Sequence, residues 1–314
     1  MAGLLNVSWH MNQRDLQVSS LGAGSTLGSS MRWRSSLTRA FDHWRSDFDD
    51  SLSKNEHWMQ LVNPRSGTPG AVVNPSDRAT ATATRDNVFE SRDCLHTLAH
   101  MAMHVDLIDC TVFAGSERAL GRVVTDADRQ AVQRRMKEQW APSARARDAV
   151  FYALRFLCEV LIPEDELAAR RSHSLDGHPS SLPHLQPHFT YKASDDYLLN
   201  RPWVLYFAVL IVWSYGYALD GPIRPSNYQI TSRHNQIHDM QRYLVRMGGV
   251  ASPDDLEKLK DRNSCLGLLQ LLRQCFREPR WELLHEASEL LGNCINMLTP
   301  GAGTGIAASE SVAR

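Results

Sequence analysis

From Ser30 to Leu52 the apolar residues Leu37, Phe41, Trp44 and Phe48 fall at i, i+4, i+7 and i+11, the repeat of one α-helical face. The same period returns along the chain. Leu95, Leu98, Ala102 and Val105 predict a helix over about 86–107. Thr125 with Asp128 forms a capping-box start, and Val132, Met136 and Trp140 follow at i+4 steps until Pro142. Ser143 is placed to cap a helix running to about Leu161, with Ala149, Ala153, Leu157 and Val160 or Leu161 facing inward.

The uncharged run Trp203–Leu219, WVLYFAVLIVWSYGYAL, predicts a helix buried on all sides, capped by Asn200 and ended by Gly216, Gly221, Pro222 and Pro225. Its length sits at the lower limit of the ~17–25 residues of a membrane span. Ser214, three tyrosines and the nearby Arg201, Asp220 and Arg224 favour a core helix, with a membrane anchor as the alternative. A helix over about Ser232–Met247 ends at Gly248-Gly249, where a left-handed cap suits glycine. Ser252-Pro253-Asp254-Asp255 starts another, running or kinking into a helix faced by Leu266, Leu269, Leu272 and Phe276. Pro279 opens the last, lined by Leu284, Ser288, Leu291, Ile295 and Leu298.

No alternating β-branched runs, Asn-Gly turns or glycine-rich strand-to-helix turns appear, so the expected fold class is all-α. Residues 1–29 are expected to be loose with at most one short helix, 30–298 to form one large helical domain with polar loops at 63–86 and 164–194, and 299–314 to be a disordered tail. The expected core includes Leu95, Leu98, Trp140, Leu157, Trp203, Tyr206, Trp213, Tyr215 and Leu291.

Charge narrows the function. With 34 Lys+Arg against 35 Asp+Glu the formal net charge is −1, without the basic excess of a self-sufficient nucleic-acid binder. Cys94, Cys110, Cys158, Cys265, Cys275 and Cys294 contain no Cys-x-x-Cys pair, so neither a disulfide framework nor a cysteine-rich zinc module is written here; they read as buried thiols of a reducing compartment. The opening MAGLLNVSWHMNQRD lacks the pattern of a secretory signal, leaving cytosol or nucleus as the expectation.

The densest candidate chemistry is Cys94, His96, His100, His104 and Cys110, because His-x-x-x-His on a helix can present two imidazoles to one metal ion. His104 is rotated by ~80° from His96 on an ideal helix, and no glutamate follows the first histidine, so the metalloprotease pattern is absent. A half-buried polar stripe is expected, with His96, His100 and His104 as the metal candidates. His173, His178, His184 and His188 are irregularly spaced in a proline-bearing loop. Arg118, Arg122, Arg129, Arg134, Arg135, Lys137, Arg145 and Arg147 form a basic band, expected to be a solvated, ion-paired face. Glu164, Asp165 and Glu166 read as a solvated turn. Nucleophile elbow, P-loop and dinucleotide fingerprint are all missing, so no catalytic residue and no cofactor is expected.

Three segments, CLHTLAHMAMHVDLIDCTVFAGSERALGR (94–122), WAPSARARDAVFYALRFL (140–157) and LNRPWVLYFAVLIVWSYGYALDGP (199–222), resemble the regulatory domain of fungal transcription factors, the middle homology region. The branch found with C2H2 zinc fingers is the most similar. The resemblance implies a nuclear regulatory and interaction domain, without catalysis, for RNA polymerase II genes. Partners would be other transcription regulators, a like chain or a small-molecule effector, with no membrane association. Relatives carry zinc modules ahead of this region; none is present here, so the resemblance implies indirect DNA contact and assigns zinc to a module outside the sequence. Rival readings are a helical metal-dependent enzyme using His96, His100 and His104, and a membrane-associated protein anchored by 203–219.

Overall fold

The structure, a computed structural model, describes residues 1–20, 27–62, 91–162, 189–224, 230, 232–278 and 281–300. The loop expected at 63–86, the histidines at 173, 178, 184 and 188, the acidic turn 164–166 and the tail from 301 lie outside the described residues. The chain divides into two compact units, Met1–Met103 and His104–Arg314.

In the first unit, α1 (Ala2–Ser20) occupies the segment expected to be loose. Met1, Leu4, Leu5 and Met11 pack against a buried cluster of Trp33, Leu37 and Phe41 from α2 (Leu27–Val62) and Ala99 and Met103 from α3 (91–104). Polar contacts reinforce this packing: Trp33 donates to Asp15 at 3.0 Å, and Arg34 pairs with Asp15 at 3.2 Å and donates to Asn12 at 3.1 Å. The apolar positions of α1 are too sparse to predict a helix alone, and the partner α2 supplies the missing stabilisation.

The buried face of α3 differs from the expected one. Leu95, Leu98 and Ala102 are only half-buried, while Cys94, His96, Ala99, His100, Met101 and Met103 are buried. Two imidazoles thus take interior positions that hydrophobicity assigns to leucine.

The second unit starts with α4 (Leu107–Phe113), whose N-cap Asp106 accepts from the Ile108 amide. A hairpin interrupts the helices: β1 (Arg118–Ala119) pairs antiparallel with β2 (Arg122–Val123). Leu120 (φ 51°) and Gly121 (φ 77°) make the turn, both in the left-handed region that two-residue hairpins require. Among the described residues the all-α expectation therefore holds with this exception, hidden because leucine stands where asparagine would advertise the turn.

α5 (Asp126–Arg134) begins on the Thr125/Asp128 capping box and passes into a π-helical turn, Arg135–Trp140, that keeps Val132, Met136 and Trp140 buried. α6 (Ala144–Leu161) starts on Ser143, whose hydroxyl accepts from the Ala146 amide. α7 (Arg201–Asp220) packs against α4 and α6, and against α9 (Leu266–Arg277) and α10 (Glu282–Leu298). It is long and apolar enough to cross a membrane, and 72 % of its most apolar window is buried within the protein. Asn200 precedes α7 without a side-chain capping bond, unlike the expected cap.

α8 (Arg233–Gly248) is capped by Ser232, and its C-cap Gly249 has φ −79°, so the Gly-Gly pair makes no left-handed cap. Packing explains Gly248 instead: a Cβ there would meet Cys158 Sγ at 2.5 Å. A 3₁₀ turn (Pro253–Lys258) with a Ser252/Asp255 capping box stands apart from α9 rather than running into it. Of the expected core, Trp140, Leu157, Tyr206, Trp213, Tyr215 and Leu291 are buried, and Leu95, Leu98 and Trp203 are half-buried.

Candidate functional site

One polar constellation lies within the first unit, where α2 runs beside α3. Phe41 and Leu37 face Ala99 and Met103 in the shared core, and Asp42, about 100° further round α2, comes to the rim. On α3, His96 and His100 stand one turn apart, with ring centroids 4.4 Å from each other, and the Phe41 ring lies edge-on to His100 at 5.8 Å.

Three donor atoms converge there. Asp42 Oδ1 is 3.1 Å from His96 Nε2 and 3.1 Å from His100 Nε2, and the two Nε2 atoms are 3.1 Å apart. The His100 side chain is fully buried and that of His96 is 9 % exposed, whereas the Asp42 side chain is 58 % exposed, so the triangle opens on the carboxylate side. Burial, and next the neighbouring His96, push His100 down to about 4 despite the attraction of Asp42. Burial, assisted by the Arg45 guanidinium, also holds His96 below its ordinary value against the hydrogen bond that Asp42 accepts. Both imidazoles are therefore neutral at physiological pH, the form that binds metal ions.

Charged residues surround the triangle. Arg45 pairs with Asp93 at 2.7 Å and its Nη1 lies 3.4 Å from His96 Nδ1. Arg92 pairs with Asp49 and reaches Asp93 at 3.5 Å.

Among the three metal candidates, the structure brings His96 and His100 together and directs His104 elsewhere. The His104 ring stacks on Tyr152, and its Nδ1 faces Asp148 at 3.8 Å. The sequence pattern does not point to Asp42 or Arg45. They sit on another helix, 54 residues before His96 for Asp42, and the one trace in the sequence is that Asp42 adjoins Phe41 on the apolar stripe of α2. Cys94 and Cys110 are buried and lie outside the cluster.

The basic band is partly spent on internal ion pairs. Arg135 forms a two-pronged bond to the buried Asp109 at 2.6 and 2.5 Å. Arg147 joins α6 to the 3₁₀ turn through Asp254 at 3.1 Å and Glu257 at 3.5 Å. Arg118 and Arg122 stay exposed on the hairpin beside Leu120 and Val123.

The WSYGYALDGP ending of α7 also has a structural part. Asp220 accepts from the Arg262 amide at 2.7 Å, the Asn263 side chain donates to the Gly221 carbonyl at 2.8 Å, and Tyr243 donates to the Arg262 carbonyl at 3.0 Å. The loop before α9 is thereby fastened across the end of the apolar helix.

Comparison with known proteins agrees with the resemblance. The chain is 24 % identical over 294 residues to the nicotinate catabolism cluster-specific transcription factor of Emericella nidulans, covering 93 % of this chain and 27 % of that protein. It is 24 % identical over 211 residues to zinc finger protein klf1 of Schizosaccharomyces pombe, covering 66 % of this chain and 22 % of that protein. The chain thus spans about a quarter of the length of these relatives. No family model matches the chain, and no solved structure matches it.

Proposed function

We propose that this chain is the regulatory and interaction region of a fungal transcription regulator. It would act in the nucleus on RNA polymerase II genes, either through protein partners or together with a DNA-binding module outside this sequence. The observation that carries the reading is the alignment with a fungal transcription factor over 93 % of the chain. The near-neutral charge and the ion pairs that occupy Arg135 and Arg147 fit a domain that works through proteins rather than by gripping phosphate. The burial of α7 inside the second unit supports a core helix in place of a membrane anchor. In this reading the chain has no catalysis of its own.

Expression of the full chain as a fluorescent fusion in a fungal cell, with transcript profiling after its loss, tests the reading. The expected result is nuclear signal and a restricted set of altered transcripts. Protein confined to membranes, or loss that leaves transcripts unchanged, would overturn it.

A further inference from the structure

We propose that Asp42 Oδ1, His96 Nε2 and His100 Nε2 are protein ligands of one divalent transition-metal ion, zinc foremost, with its remaining position open on the Asp42 side. The inference is independent of the transcriptional reading and comes from the shape of the triangle.

Hydrogen bonds alone leave the triangle frustrated. Its three edges are all 3.1 Å, and with Asp42 as the carboxylate no placement of protons on the imidazoles makes all three attractive. If both Nε2 atoms carry protons for Asp42, two N–H groups oppose each other across the His96–His100 edge. If one Nε2 is bare, its lone pair faces the carboxylate oxygen. A cation in contact with all three atoms removes the conflict, since every donor then points a lone pair at positive charge.

The dimensions agree. A tetrahedral zinc ion with bonds of about 2.0–2.1 Å to nitrogen and oxygen has ligand atoms about 3.3–3.4 Å apart, within a few tenths of an ångström of the triangle. The ligand set also selects the ion. Two imidazoles and a carboxylate suit zinc and its divalent neighbours, whereas calcium and magnesium prefer oxygen alone. The i, i+4 spacing on α3 supplies a rigid pair, and α2 supplies the third ligand from a separate helix, so the ion would clip the two helices together.

Arg45 works against the ion and sets its affinity. Metal on His96 Nε2 places the ring proton on Nδ1, which the Arg45 guanidinium now approaches at 3.4 Å. Loading therefore requires Arg45 to leave this contact and keep its ion pair with Asp93. The result is a site of restrained affinity, suited to an ion that is exchanged.

Chelator-treated full-length protein titrated with Co(II) and then Zn(II), read by visible absorption and elemental analysis, tests the proposal. The expected result is one equivalent of Co(II) with the intense bands of four-coordinate cobalt, displaced by Zn(II). Asp42→Asn, at an exposed position that keeps the fold by circular dichroism, should weaken binding by at least about 10–100-fold. Failure to take up a stoichiometric ion overturns the site. So does uptake that survives unchanged in Asp42→Asn or in His96→Gln/His100→Gln, which would place the ion elsewhere, for instance on the histidines between 173 and 188.

Discussion

A Cβ on Gly216 would lie 2.3 Å from the carbonyl oxygen of Arg262, and 2.9 Å from Asn263 Cα. The loop before α9 thus crosses α7 backbone against backbone, at the one residue of WSYGY that has no side chain. The Arg262 carbonyl is further held by Tyr243, and its amide by Asp220, so the loop has little room to retreat. Gly216→Ala should therefore destabilise the protein by about 2–3 kcal/mol through overpacking, measured by urea denaturation. A change below about 0.5 kcal/mol would show that the crossing is loose.

Trp213 is fully buried, stacked on Tyr217 at 5.2 Å and tilted against Phe113 at 5.6 Å. Its removal leaves a cavity in the unit's core that the two remaining aromatic rings cannot refill. Trp213→Ala should cost about 3–5 kcal/mol. A shift under about 1 kcal/mol in urea melts would place the ring outside the cooperative core.

Asp239 on α8 accepts the Gly267 amide at the start of α9 at 2.9 Å. Burial raises its carboxyl above the ordinary value, opposed by that amide and by Arg242. A raised folded value means that the native state holds the proton more tightly than the unfolded chain. Its contribution to stability is full below the ordinary value and is lost as pH rises through the raised one. Asp239→Asn keeps the acceptor for Gly267 without the charge, so wild type should lose stability relative to this variant as pH rises from about 3 to about 7. Parallel urea midpoints across that range would refute the burial effect.

The place of Arg45 beside His96 Nδ1 predicts the unusual result that removing a residue strengthens binding. Arg45→Gln lifts positive charge from the triangle and frees Nδ1 to carry its proton. Competition against a chromophoric chelator should show Co(II) binding tightened by about 10-fold. Weaker binding in this variant would mean that Arg45 supports the site.

Where local chemistry decides, structure was legible in the sequence. Ser143, Ser232, the Thr125/Asp128 pair and the Ser252/Asp255 pair all start the elements they mark, because a capping bond involves residues within one turn. Burial around α7 was legible for the same kind of reason, since an uncharged run has no polar face to offer water. Features set by packing were not. The interior face of α3 holds His96 and His100 because Asp42, far off in sequence, reaches them across the α2–α3 contact. Periodicity alone put Leu95 and Leu98 there instead. Asn200 looked like a cap but takes helical backbone angles, which place its side chain out of capping use. The 118–123 hairpin is unmarked in the sequence because Leu120 takes a positive φ that asparagine or glycine adopts more readily. Two of the three proposed ligands were thus readable as His-x-x-x-His, and the third needed the tertiary structure.

The most direct measurement of the central claim is a tethering assay. Residues 1–314, fused to an unrelated DNA-binding domain, are placed upstream of a reporter in a fungal host, beside Trp213→Ala as the variant with a damaged core. A domain that regulates transcription through partners should raise or lower the reporter in its wild-type form and lose the effect in the variant at matched nuclear levels. A wild-type fusion that is nuclear, abundant and silent would contradict the account.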